Sequence, residues 1–314
     1  MIACSSDACS TVDVSSDYDF GNFVYTCGES GSITVTYTMT DVCGNETVKN
    51  ATFTIVDTAA PITPAAPADE LVECGADVPA AIDLTAVDNC DGDITVSPTE
   101  VITPGECANS YTLVRTWTFT DGCGNTSEVS QTITVNDTTA PVTPAAPADE
   151  LVECGADVPV AIDLTAVDNC EGDITVSPTE VITPGDCDNS YVIVRTWTFT
   201  DGCDNTSEVS QTITVNDTTE PVAPAAPADE LVECADEVPS AVDLTAVDNC
   251  DGDITVSPIE VVTPGDCPNS YVIVRTWTFV DGCDNTSEVS QTITVNDITA
   301  VSYTHLTLPT TPYV

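Results

Sequence analysis

Along residues 110–120, Tyr111, Leu113, Arg115, Trp117 and Phe119 alternate with Thr112, Val114, Thr116, Thr118 and Thr120. A period of two gives a strand one inward and one outward face, and here it prevails over the 3.6 period of a helix. Other short β-branched runs, separated by Pro, Gly, Asn and Asp, predict further strands over 71–74, 81–87, 94–102 and 128–135. An all-β unit of about 80 residues with an inward Trp and five to seven strands predicts a two-sheet sandwich.

The pattern recurs. DELVEC stands at 69, 149 and 229, VDNC at 87, 167 and 247, VRTWTF at 114, 194 and 274, and SQTITVND at 130, 210 and 290. The period is 80 residues without an insertion, so three near-identical units run over 58–137, 138–217 and 218–297. Residues 1–57 read as the C-terminal part of a divergent fourth unit, with Cys27, Cys43 and the DVCGN at 41–45 in the repeat's positions. Residues 298–314 form a non-native or disordered tail. The stretch 301–314 breaks the period, holds the one histidine, His305, and resembles translated sequencing adapter. Between units, DTTAPVTPAAPADE is rich in Pro and Ala, which favours extended backbone over a floppy linker and predicts a semi-rigid, rod-like array.

Composition narrows the function. Against 52 Asp and Glu there are four Lys and Arg, a formal net charge of −48, so the chain lacks the basic surface that a phosphate backbone requires. With 42% apolar and only 18% charged residues it reads as folded acidic modules, not as a disordered tail. No apolar run is long enough for membrane insertion in this segment. The first residues lack the pattern of a signal peptide, so export is signalled elsewhere or the chain is a fragment.

Sixteen cysteines point to an oxidising, extracellular or cell-surface compartment. In each unit they are spaced C-x15-C-x16-C-x15-C. Zinc and iron-sulfur sites use closely spaced pairs, commonly with histidine, so two disulfides per unit are expected. Of the three connectivities, sandwich topology selects Cys74 with Cys107 at one pole and Cys90 with Cys123 at the other, repeated as Cys154 with Cys187, Cys170 with Cys203, Cys234 with Cys267 and Cys250 with Cys283. Cys74 to Cys90 with Cys107 to Cys123 is the alternative, and the pairing of Cys4, Cys9, Cys27 and Cys43 stays open.

The stretch TWTFTDGCGNTSEVSQTITVNDTTAP at 116–141, with DNC upstream, resembles the hyalin-repeat (HYR) and related immunoglobulin-like modules. Such modules occur in tandem in very large surface and secreted proteins, notably adhesins of gliding Bacteroidota-type bacteria. The resemblance covers about 58–300, more loosely 1–57. It implies a seven-strand sandwich, an extracellular location and an adhesive or spacer role.

Candidate chemistry is limited to carboxylates and one cation per unit. Arg115, Arg195 and Arg275 fall on the inward face two residues from Trp117, Trp197 and Trp277, so they read as structural, with each arginine paired to an inward acid such as Glu73. A carboxylate-receptor role is the alternative. With no histidine or lysine in the three full repeats, nucleophilic triads are unavailable, and the segment does not read as an enzyme. No cofactor motif is present, and calcium is the candidate ion. DNCDGD at 88–93 and DGCGN at 121–125 place Asp88, Asp91, Asp93, Asp121 and Asn125 in two loops, and hard cations take oxygen ligands of this kind. In a sandwich the last strand ends at the opposite pole, so Asp137 should face Asp168, Asp173 and Asp201 of the next unit. Asp217 should likewise face Asp248, Asp253 and Asp281, an arrangement similar to the interdomain calcium sites of cadherin-type arrays. The competing readings are that Asp, Asn and Gly simply make turns there, or that the acids serve solvation. The function expected is an extracellular stalk or adhesive array whose partners are neighbouring repeats and a surface glycan or protein ligand. A passive spacer for a domain outside this segment is the alternative.

Overall fold

The computed structural model describes residues 11–267 and 269–299; Cys4, Cys9 and the 301–314 tail lie outside them. The chain divides into two compact units. The first comprises Met1–Val142, Val167–Ile174 and Thr200–Thr206, the second Thr143–Ala166, Thr175–Phe199 and Ser207–Val314.

In the first unit, the partial repeat forms one antiparallel sheet in which the long β3 (Ser30–Asp41) pairs with β1 (Val12–Ser16), β2 (Val24–Cys27) and β4 (Glu46–Ile55). The first full repeat follows with β5 (Glu70–Val72), β6 (Leu84–Asp88), β7 (Gly92–Val96), β8 (Thr99–Pro104), β9 (Ser110–Thr120) and β10 (Thr126–Asn136). Its four-stranded sheet has the order β5-β10-β9-β8, and β6 and β7 form a separate antiparallel hairpin. All pairs are antiparallel except β5 with β10. Ile62 adds an isolated bridge to Val87, so the repeat has six strands and a bridge where the resemblance implies seven. The strand expected over 94–102 is two, broken at Ser97-Pro98, because proline lacks the N–H that a ladder needs. In the second unit the last repeat has the same order, with Glu230–Val232, Thr286–Asn296, Ser270–Val280 and Ile259–Pro264 in one sheet and a Leu244–Asp248/Gly252–Val256 hairpin.

The inward face of β9 makes the core. Trp117 and Phe119 are fully buried against Ala86 of the hairpin, with Leu84, Ile94, Val96 and Val129 packed around them. A ring this large stays inside only if its N–H is satisfied, and Trp117 Nε1 donates to the Ile82 carbonyl at 2.9 Å. Trp197 and Trp277 repeat this bond to Ile162 and Val242.

Arg115 is buried as its parity requires, at 5% exposure. Its partner differs from the expected Glu73. Register places Glu100 of β8 directly opposite, and Arg115 Nε donates to Glu100 Oε1 at 2.8 Å while Nη2 donates to the Pro79 carbonyl at 2.7 Å. Glu73 instead accepts from Thr138 and Thr139. A directly opposed cross-strand pair needs no reorientation of either side chain, whereas Glu73 lies just beyond the short β5 strand. Arg195 with Glu180 and Arg275 with Glu260 repeat the pair.

Candidate functional site at the repeat joints

Every disulfide among the described residues joins one repeat to the next. In the first unit Cys27 bonds Cys123, Cys74 bonds Cys170 and Cys107 bonds Cys203; in the second, Cys154 bonds Cys250 and Cys187 bonds Cys283. The sequence separation is 96 each time, one period plus the 16-residue offset between cysteines. The expected pairs within a repeat, Cys74 with Cys107, Cys90 with Cys123 and their equivalents, are therefore corrected. The Cys154 and Cys187 loops do adjoin, with Gly155 N donating to Asn189 Oδ1 at 3.5 Å. Those two cysteines bond outward, because Cys250 and Cys283 of the following repeat come within Cα distances of 5.2 Å, the usual disulfide span. Cys43, Cys90, Cys234 and Cys267 are free thiols.

The same joints collect carboxylates. Asp57, Asp88, Asp91 and Asp121 each bring one oxygen within 4.8 Å of the others. Asp57, from the strand end of the preceding repeat, is 8% exposed, Asp88 4% and Asp121 6%. Turn chemistry fixes them. Asp88 Oδ1 accepts from the N–H groups of Cys90 and Asp91 at 2.8 and 2.9 Å, an Asx turn. Asp121 Oδ1 accepts from Cys123 and Asn125 N–H, and Asn125 Nδ2 reaches both Asp121 Oδ2 at 2.7 Å and the Asp57 carbonyl at 3.4 Å. Asp91 Oδ2 accepts from Gly122 N at 2.7 Å and so ties the two loops together without a disulfide.

The next joints are built alike. Asp137, Asp168 and Cys170 gather within 4.8 Å in the first unit, and Asp217, Asp248 and Cys250 in the second. Asp201 and Asp281, both buried, hold Asn205 and Asn285, which reach the Asp137 and Asp217 carbonyls at 3.3 Å. Burial pushes the Asp137 carboxyl above its ordinary range, with the charges of Asp168, Asp201 and Glu73 adding to it against one opposing N–H from Thr139. Asp217 is raised in the same way, by burial and then by Asp248, Asp281 and Glu153.

Asp93, Asp173 and Asp253 do not join these groups; Asp93 lies on β7 opposite Val87, and all three are exposed. Asp57 is absent from the sequence-derived set, although it stands one period before Asp137 and so carried the same signal. The exchange of Gly124 for Asp204 and Asp284 is a matter of backbone. These residues have φ of 86°, 64° and 64°, the left-handed region that Gly, Asn and Asp tolerate in turns.

A family model of the HYR-like domain with four cysteines matches residues 62–135, 142–215 and 222–295. The chain belongs to this family. Among curated proteins none matches it. Solved structures similar to these HYR-like repeats include protocadherin gammaB7 EC3-6, in a cis-dimer structure, at 11% identity and a TM-score of 0.36, covering 92% of this chain and 94% of that one. The human desmocollin-1 ectodomain matches at 11% identity and 0.23, covering 93% and 76%. Drosophila N-cadherin EC1-4 matches at 10% identity and 0.23, covering 93% of both chains. Among the described residues of the HYR-like array, no helix is long and apolar enough to cross a membrane.

Proposed function

We propose that this chain is a load-bearing segment of an extracellular or cell-surface protein, serving as a stalk or adhesive array. One observation carries the reading: the disulfides overlap. Cys123 closes the bridge from Cys27, and Cys107, sixteen residues before it, opens the bridge to Cys203; Cys187 then opens the bridge to Cys283. A pull between Cys27 and Cys283 therefore runs through three disulfides and only the segments 107–123 and 187–203. Those segments extend to about 110 Å, against about 900 Å for the whole stretch between the two cysteines at ~3.5 Å per residue. Tension reaches the covalent path before the sandwiches can unravel, which is useful to a tether and irrelevant to a catalyst.

The array also buries negative charge at its joints, and calcium is the counter-ion that an extracellular setting supplies. Direct adhesion through a glycan or protein ligand and a passive spacer role share this mechanical property. The exposed large apolar side chains of the full repeats are aliphatic, such as Val101, Ile102, Val181 and Ile182, whereas stacking on a sugar ring uses aromatic faces. The spacer is thus favoured for the repeats themselves. Single-molecule stretching tests the reading: the oxidised chain should gain roughly an eighth of the contour length that the reduced chain gains between these cysteines. Equal gains in both states would overturn it.

A further inference from the structure

We propose that each joint holds a calcium ion between the last aspartate of one repeat and the hairpin-turn aspartate of the next: Asp57 with Asp88, Asp137 with Asp168, and Asp217 with Asp248. The inference deepens the array reading, since the ion lies at the joints that the disulfides close.

In all three pairs one oxygen of each carboxylate is tied and the other is left bare. Oδ1 of Asp57, Asp137 and Asp217 accepts from the N–H of Ala59, Thr139 and Thr219. Oδ1 of Asp88, Asp168 and Asp248 accepts two N–H groups of its own turn. The six Oδ2 atoms are buried and have no hydrogen-bond partner, while the six residues are 4 to 8% exposed. A buried carboxylate oxygen without a donor is costly, and two facing each other are more so. Among the described residues no ion pair is made to these carboxylates, and Arg115, Arg195 and Arg275 are engaged by Glu100, Glu180 and Glu260. Fixed rotamers with bare oxygens converging from two sides are what a cation needs from its ligands.

The donors also select the cation. Cys170 and Cys250 lie within the second and third groups with their sulfurs in disulfides, and Cys90 of the first group is the one free thiol among them, so no thiolate recommends zinc at the second and third joints. What remains is carboxylate, with the carbonyls and side chains of the adjoining Asp121, Asp201 and Asp281 turns nearby, an irregular all-oxygen set. Calcium tolerates such sets, whereas magnesium asks for near-octahedral geometry.

Equilibrium dialysis of the full chain, stripped with EDTA and returned to calcium, tests this. Three ions per chain are expected, one for each joint, with dissociation constants on the order of 10⁻⁴ to 10⁻³ M, as in extracellular modules. Asp137→Asn and Asp217→Asn should each lower the number to two, and Asp168→Asn should match Asp137→Asn. Circular dichroism and nonreducing peptide maps of the same samples report folding and pairing. Intact inter-repeat disulfides with no calcium bound at ~5 mM, with zinc bound instead, or with stoichiometry unchanged in the variants would overturn the calcium sites alone. Loss of the inter-repeat disulfides in the parent protein would overturn the array reading as well.

Discussion

Cys74 is bonded to Cys170, a residue of the following repeat, and not to Cys107 of its own. Each full repeat is therefore covalently held by its neighbours. Nonreducing digestion and peptide mapping should recover Cys27–Cys123, Cys74–Cys170, Cys107–Cys203, Cys154–Cys250 and Cys187–Cys283. Cys43, Cys90, Cys234 and Cys267 should alkylate without reduction. Recovery of Cys74–Cys107 or Cys154–Cys187 would replace the interlocked chain with separately stapled repeats. A bridge closing about 100 residues contributes about 4 to 5 kcal/mol in the chain-entropy model. Cys74→Ser should lower unfolding free energy by up to that amount, and adding Cys170→Ser should cost little more, as one bond is lost in both.

Arg115 and Glu100 form a pair of unequal partners, because the arginine side chain is 6% exposed and the glutamate 43%. Substituting either end should therefore give different costs. Arg115→Ala removes buried methylenes and leaves the Pro79 carbonyl without its donor, and should destabilise by roughly 2 to 4 kcal/mol. In Glu100→Gln a neutral acceptor remains and solvent screens the lost charge, so the cost should stay under about 1 kcal/mol. Urea unfolding of both variants checks the order; equal costs would mean that the charge itself, not burial, dominates.

How far the sequence reaches can be judged from these residues. The alternation from Tyr111 to Phe119 identified the buried face of β9, since strand parity is a local property that one run of residues determines. The 80-residue period likewise announced that joints exist. Disulfide pairing was not legible, because four cysteines at fixed spacing satisfy several topologies and the choice depends on which pole of the next repeat approaches. Likewise, nothing local says that Arg115 takes Glu100: their pairing is set by the β8/β9 register, which a strand expected to run unbroken over 94–102 obscures.

Glu73 and Glu153 make the stability of the array dependent on acid. Glu73 accepts the Thr138 N–H at 2.8 Å and the hydroxyls of Thr138 and Thr139, which hold its carboxyl below the ordinary glutamate value. Glu153 does the same with Thr218 and Thr219. With the folded value depressed, folding favours the charged form. That contribution is present above the unfolded value of about 4.3 and is lost as pH falls through the folded one. The melting temperature in EDTA should fall more steeply below about pH 4 for the parent than for a Glu73→Gln/Glu153→Gln variant. Asp137 and Asp217, whose raised values act with the opposite sign, feel the charges of Glu73 and Glu153, so the difference between the two proteins reports the glutamates net of that coupling. Parallel curves would remove these glutamates from the account.

Asp204 separates the turn reading of the polar loops from a ligand role. It sits at φ 64°, where Gly124 of the preceding repeat stands at 86°, and its N–H returns to the Asp201 carbonyl at 3.3 Å. A residue with a Cβ pays about 1 kcal/mol in this region, and Asp is among those that tolerate it. Glycine relieves the strain but loses more entropy on folding. Asp204→Gly should therefore leave stability unchanged or raise it by up to about 1 kcal/mol. A turn residue predicts no change in the number of calcium ions bound, because Asp204 is exposed and lies outside the groups of converging oxygens. Loss of an ion in Asp204→Gly would make that aspartate a ligand, and the second and third full repeats would then bind calcium by a set that the first, with Gly124, does not possess.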